Sequence, residues 1–117
     1  MREERTARRH ERVRLGGSAR MMVDTSGGLQ MTSGHIVDLS EGGCAVLCKT
    51  YVGANLCGRV QVHVAGVEMW IPVVTRWVKG EQRGWVIGCA FDRPTEEKLQ
   101  TIRALLWDRR KVTRDAG

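Results

Sequence analysis

Two groups of residues have side chains and spacings suited to gripping an anion. The first is Arg8-Arg9-x-x-Arg12, close to the N-terminus. A guanidinium is a rigid fork of N–H donors, and it bonds phosphate or the O6 and N7 edge of guanine in bidentate fashion. Arginines spaced as Arg8-x-x-x-Arg12 can clamp a planar anion between them. The second group is Asp38-Leu39-Ser40-Glu41-Gly42-Gly43. The N1–H and N2–H2 edge of guanine presents only donors, and a carboxylate such as Asp38 is its natural acceptor. Gly42 and Gly43 leave bare backbone that a ligand can approach closely. A ligand carrying both guanine and phosphate would use both groups at once. Asp, Ser and Gly also form turns for purely local reasons. The stretch lies between Ile36-Val37 and Cys44-Ala45-Val46-Leu47, so it reads equally as a polar turn joining two strands.

The elements that position these residues follow from composition and periodicity. With 117 residues, of which 42% are hydrophobic and 27% charged, the chain suits one domain with a modest core. No apolar run approaches the ~18 residues of a membrane span. The N-terminus is charged and lacks the apolar stretch of a secretory signal, so a cytoplasmic location is expected. The net charge of +6 is unevenly placed. Residues 1–20 carry +4, residues 21–102 carry −1 and residues 103–117 carry +3. A nearly neutral body with basic ends argues for a local anion-binding arm and against a nucleic-acid surface spread over the fold.

Residues 1–12 lack apolar periodicity and are expected to form a flexible basic arm. Residues 13–109 carry the folded domain. Ala19, Met21 and Val23 alternate as a strand, Asp24 to Gly28 is a turn, and Leu29 to Val37 is the returning strand. Cys44 to Cys48 forms a short apolar strand. Val60, Val62 and Val64 alternate with polar residues, and Ala65-Gly66 makes a two-residue hairpin loop. Val67, Met69, Ile71, Val73 and Trp77 are expected to line one face of a long strand, with a bulge or an edge near Pro72. Gly80 to Gly84 is a turn. Trp85, Ile87, Cys89 and Phe91 then alternate with Val86, Gly88 and Ala90, so something should pack closely over the small side. After Pro94 the period changes. Thr95 caps an amphipathic helix whose stripe is Leu99, Ile102 and Leu106, with Leu105 beside it and basic residues at its end. Residues 110–117 are expected to be a basic disordered tail. The sum is an all-β fold with a C-terminal helix, a six-stranded antiparallel β-barrel, because closure removes exposed strand edges.

Catalysis is not expected. His10, His35 and His63 are scattered, and no nucleophile elbow, phosphate-binding loop or paired metal carboxylates occur. Cys44, Cys48, Cys57 and Cys89 do not match a zinc-knuckle spacing, so reduced, mostly buried thiols are expected, with neither metal nor cofactor.

Arg8-x-x-x-Arg12 followed by Asp38-x-Ser40-x-x-Gly43 closely resembles the PilZ domain family. The resemblance extends over Trp77-Val78, Gly88-Cys89-Ala90-Phe91 and the helix from Leu99 to Leu106. It implies a bacterial, non-catalytic receptor for the second messenger cyclic di-GMP. Arg8 and Arg12 would grip guanine and phosphate with Arg9 assisting, Asp38 and Ser40 would bond the second face of the ligand, and Gly43 would keep the turn open. Ordering of the N-terminal arm would then pass the signal to a protein partner. Two other readings compete: an adaptor that binds proteins without nucleotide, and a small barrel that binds nucleic acid through its basic ends. The few aromatic platforms count against the last.

Overall fold

Alternation of buried and exposed residues drives the architecture. In Cys57–Val64 the residues Val60, Val62 and Val64 are buried while Arg59 and His63 are exposed. A strand of this pattern has one face that must leave water. Six such strands wrap around their shared apolar faces. The computed structural model describes residues 16–116, with side chains described as far as Trp107. Its strands are β1 (Ser18–Thr25), β2 (Gly28–Leu39), β3 (Gly43–Cys48), β4 (Cys57–Val64), β5 (Val67–Glu81) and β6 (Gly84–Phe91). They form a closed antiparallel barrel in the order β1-β2-β3-β6-β5-β4, and β1 pairs with β4 to close it. The expected arm at residues 1–12 lies outside the described residues.

The core is built from alternate residues of every strand. Met21 and Val23 from β1, Val46 from β3, Val60 and Val62 from β4, Ile71 and Val73 from β5 and Ile87 from β6 are all buried. One end is closed by α1 (Glu96–Ala116), which contributes Ile102, Leu105 and Leu106 to the same core. Thr95 starts this helix as its cap. Its hydroxyl accepts the Lys98 N–H at 3.3 Å, and its carbonyl accepts the Leu99 N–H at 3.0 Å. The helix does not stop near Arg109. It runs on to Ala116, so most of the expected disordered tail at 110–117 is helical. No glycine or proline occurs between Pro94 and Gly117, and Lys, Arg and Ala are good helix formers.

The other end is crossed by residues 49–56, which lead from β3 to β4. Val52 of this connection is fully buried. It is fastened by Thr75 of β5, which is completely enclosed. The Thr75 hydroxyl donates to the Gly53 carbonyl at 2.7 Å and accepts the Leu56 N–H at 2.9 Å. The backbone of Thr75 adds bonds to Asn55 and Leu56. Pro72 sits where the β5–β6 ladder runs out. Its carbonyl accepts the N–H of Asp92, just past the end of β6, so the donor that proline lacks is missed at the ladder's end and not within it. The irregularity expected near Pro72 falls instead at Arg76. The cysteines form no disulfide among the described residues, with Cys44, Cys48 and Cys89 buried and Cys57 exposed. Burial pushes the Cys48 thiol up from its ordinary range, which keeps it neutral.

Thr75→Val keeps the shape of the side chain but leaves the Leu56 N–H and the Gly53 carbonyl without their partner. It should lower the stability by about 2 kcal/mol, read as a fall in the urea midpoint at unchanged slope.

Candidate functional site

Two irregularities in the barrel decide which side chains face outward. Along β2, Ile36 points into the core and Leu39 does too, both nearly fully buried. Strict alternation cannot place both inside. The pairing of β2 with β3 slips between Ile36 and Asp38, leaving Val37 as an extra, bulged residue. Beyond that bulge Asp38 faces out instead of in. The sequence reading had put Asp38 in a turn; it is a strand residue whose direction the bulge sets. The same device operates in β5, where the pairing with β6 slips between Thr75 and Trp77 around Arg76. Thr75 is buried, whereas Trp77 is 40% exposed. Trp77 therefore does not continue the inner face of Val67, Met69, Ile71 and Val73, as strict alternation predicted.

Both outward residues lie in one row across four adjacent strands. Asp38 pairs with Ala45, Ala45 with Gly88 and Gly88 with Trp77. Strands lie about 4.8 Å apart, so the row spans about 14 Å. A carboxylate stands at one end and an indole at the other, with Ala45 and Gly88 as a floor between them. The indole lies over Gly88 so closely that a methyl group there would overlap the ring. Trp77 is thus what covers the small side of β6. The next row, Gly43–Ala90–Val74, extends the floor with further small residues. On the other side runs the row His35–Leu47–Val86–Lys79, which brings a cation to the same surface.

The turn after Asp38 is held by its own serine. Ser40 is buried, its N–H donates to the Gly43 carbonyl at 2.8 Å, and its hydroxyl accepts the Gly42 N–H at 3.2 Å. The hydroxyl also donates weakly toward the Gly43 carbonyl at 3.4 Å. This is a serine turn, in which the side chain replaces a backbone partner. The Gly42 carbonyl accepts the Phe91 N–H at 2.9 Å, which pins the turn to β6. Gly43 has no room for a side chain, since a Cβ there would collide with the Cys89 carbonyl oxygen. Glu41 reaches the helix and pairs with Arg103 at 3.0 Å. That bond and the charge of the Glu41 carboxylate raise the Arg103 pKa still further.

Arg8, Arg9 and Arg12 lie outside the described residues. The described chain begins next to Asp38: the Gly17 carbonyl accepts the Ile36 N–H at 2.9 Å, so the backbone enters β1 alongside the end of β2. Ala45, Gly88 and Trp77 were not singled out as site residues by the sequence reading. The alternation of small residues on β6 was a usable sign of a covered face. The covering residue was not legible, because nothing in the sequence marks Arg76 as a bulge. Among the described residues, no group of three His, Cys, Asp or Glu side chains is placed to hold a metal ion. Nor is any helix long and apolar enough to cross a membrane.

A small closed six-stranded barrel with a helix at one end, and a carboxylate and an indole on its outer face, defines the class of domain. The family model for the PilZ domain matches residues 6–107, and the chain belongs to the PilZ domain family. Among solved structures, YcgR from Escherichia coli in complex with c-di-GMP is similar with a TM-score of 0.78 at 11% identity, over 94% of this chain and 49% of that one. The K. pneumonia MrkH–c-di-GMP complex gives a TM-score of 0.74 at 21% identity, over 94% of this chain and 55% of that one. The PilZ domain of E. coli YcgR with c-di-GMP gives 0.74 at 10% identity, over 94% of this chain and 96% of that one. The chain therefore spans about half the length of the YcgR and MrkH chains it matches. A search of curated protein sequences finds no match.

Gly88→Ala should push the Trp77 ring off the row. In an NMR spectrum the indole N–H resonance of Trp77 should move, while those of Trp70, Trp85 and Trp107 hold their positions.

Proposed function

We propose that this domain binds cyclic di-GMP on the outer face of β2, β3, β6 and β5 and acts as a receptor with no chemistry of its own. The observation that carries this reading is the row Asp38–Ala45–Gly88–Trp77, which sets a carboxylate and an indole on one flat floor. The small residues of the floor are covered by the Trp77 ring, and the exposed face of that indole can stack a base. The Asp38 carboxylate suits the N1–H and N2–H2 donors of guanine. Ser40, Gly42 and Gly43 hold the turn that fixes the end of β2, so their part is to keep Asp38 in place. The solved relatives YcgR and MrkH in complex with c-di-GMP support the choice of ligand.

The phosphates fall to Arg8, Arg9 and Arg12. The stretch from Arg12 to Gly17 extends to about 17 Å at ~3.4 Å per residue. That exceeds the length of the row, and Gly17 lies beside Ile36 at its carboxylate end. These guanidinium groups can therefore meet a ligand anywhere along it. Closing the arm over the ligand would change the surface presented to a protein partner inside the bacterial cytoplasm.

Calorimetric titration with cyclic di-GMP, with GTP as control, tests the reading. Binding should be selective for the cyclic dinucleotide. Arg12→Ala and Asp38→Ala should each weaken it by about thirtyfold, the equivalent of roughly 2 kcal/mol. Trp77→Ala should weaken it about tenfold through lost stacking. Unchanged affinity in all three variants, or equal binding of GTP, overturns it. A partner bound equally with and without nucleotide would favour the adaptor reading. A steep fall in affinity for nucleic acid with salt would favour the third reading.

A further inference from the structure

The barrel is closed, but not along its whole height. The pairing of β2 with β3 begins at Gly34–Cys48, whereas β2 itself starts at Gly28. Over Leu29–Ser33 the strand is paired only with β1. Past Cys48 the chain turns away across the barrel mouth, and Tyr51 settles against Trp85 at a ring separation of 5.0 Å. Residues 31–35, residues 47–50 and the β5–β6 hairpin tip at Gln82 and Arg83 then enclose a groove of about 970 Å³.

The free edge of β2 lines this groove from Met31 to Ser33, and next to it the Gln30 side-chain amide donates to the Tyr51 carbonyl at 3.0 Å. Ile36 donates to Gly17 on the β1 side. The backbone groups of successive strand residues point to opposite sides, so those of Leu29 and Met31 point away from β1. Among the described residues they have no backbone partner on that side. Soluble proteins blunt such edges with charge or proline. The stretch Gly28-Leu29-Gln30-Met31-Thr32-Ser33 has neither. Its outward side chains Leu29 and Met31 are each 58% exposed. The charged residues of the groove are Lys49 and Arg83, both exposed and, among the described residues, without an ion pair. Among the described residues no carboxylate lines the groove, and Glu81 faces the neighbouring trough beside Val37 and Val86.

We propose that the β2 edge at Leu29–Ser33 is a docking site for an extended, acidic segment of a partner protein, which joins the sheet as an added strand. Main-chain bonds to Leu29 and Met31 supply the pairing, and Met31 and Leu47 receive an apolar side chain. Lys49 and Arg83 receive carboxylates, which sets the sign of the partner's charge. The site has none of the residues of the Asp38–Trp77 row in its lining.

The test uses the whole isotope-labelled chain and two blocked peptides, acetyl-Glu-Val-Glu-Val-Glu-Val-amide and its Lys-Val counterpart. The acidic peptide should shift the NMR resonances of residues 29–35, Lys49 and Arg83. At saturation it should slow hydrogen exchange at the Leu29 and Met31 amides about tenfold. The basic peptide should do neither, and the Lys49→Glu, Arg83→Glu double variant should reverse the preference. A version of the acidic peptide N-methylated at alternate residues should not bind. Equal binding of both peptides, shifts confined to other surfaces, or no shift at millimolar peptide overturns the proposal. So does concentration-dependent protection of the two amides without peptide, which would make a second copy of the chain the occupant.

Discussion

Inside a closed barrel a strand has no choice about which way its side chains point. Residues alternate between core and solvent, and one inserted residue reverses that order for all that follow. This parity constraint is what the outer face of the domain depends on. The bulges at Val37 and Arg76 each reverse it once, in two strands separated by β3 and β6. Without them Asp38 would be buried as a charge among apolar side chains, at a cost no partner in that core would offset. Trp77 would compete with Ile71, Val73 and Thr75 for the same interior.

The rest of the fold serves to hold these two strands in register. Strand β3 and strand β6 between them carry small residues on the outside, Gly43, Ala45, Gly88 and Ala90, and apolar residues inside. Small outer residues let Trp77 lie flat and let the Ser40–Gly43 turn approach β6. The buried Thr75 fastens the connection between β3 and β4 immediately before the bulge, so the irregular part of β5 starts from a fixed point. At the helix end Glu41 and Arg103 tie the Ser40–Gly43 turn to the helix. The pair is exposed, and its worth lies in orientation more than in stability.

The two ends of β2 differ in kind. At its C-terminal end the strand is fully paired, bulged and followed by a serine-held turn, which is a rigid mount for a carboxylate. At its N-terminal end one edge is bare and uncharged beside a basic groove. Rigidity and an unsatisfied backbone thus occupy opposite ends of a single strand, and the wall between them is the His35–Leu47 pair.

Much of this was legible in the sequence. Period-two alternation in Val60–Val64 and Trp85–Phe91, the turn residues between strands and the change of period after Pro94 specify a small barrel with a terminal helix. Each is a local signal, carried by neighbouring residues. The Asp38-x-Ser40-x-x-Gly43 spacing was legible as a turn and as a candidate site, but the structural duties of its members were not. Ser40 and Gly43 are fixed by Gly42 and by the Cys89 backbone of β6, a strand distant in the chain. The helix overran its expected end because an absence of breakers is a weaker signal than a basic cluster. Above all, the directions of Asp38 and Trp77 rest on a register slip between pairs of strands. Register is a relation between two segments, and no single segment encodes it; only the closed tertiary structure decides which of two faces each residue takes.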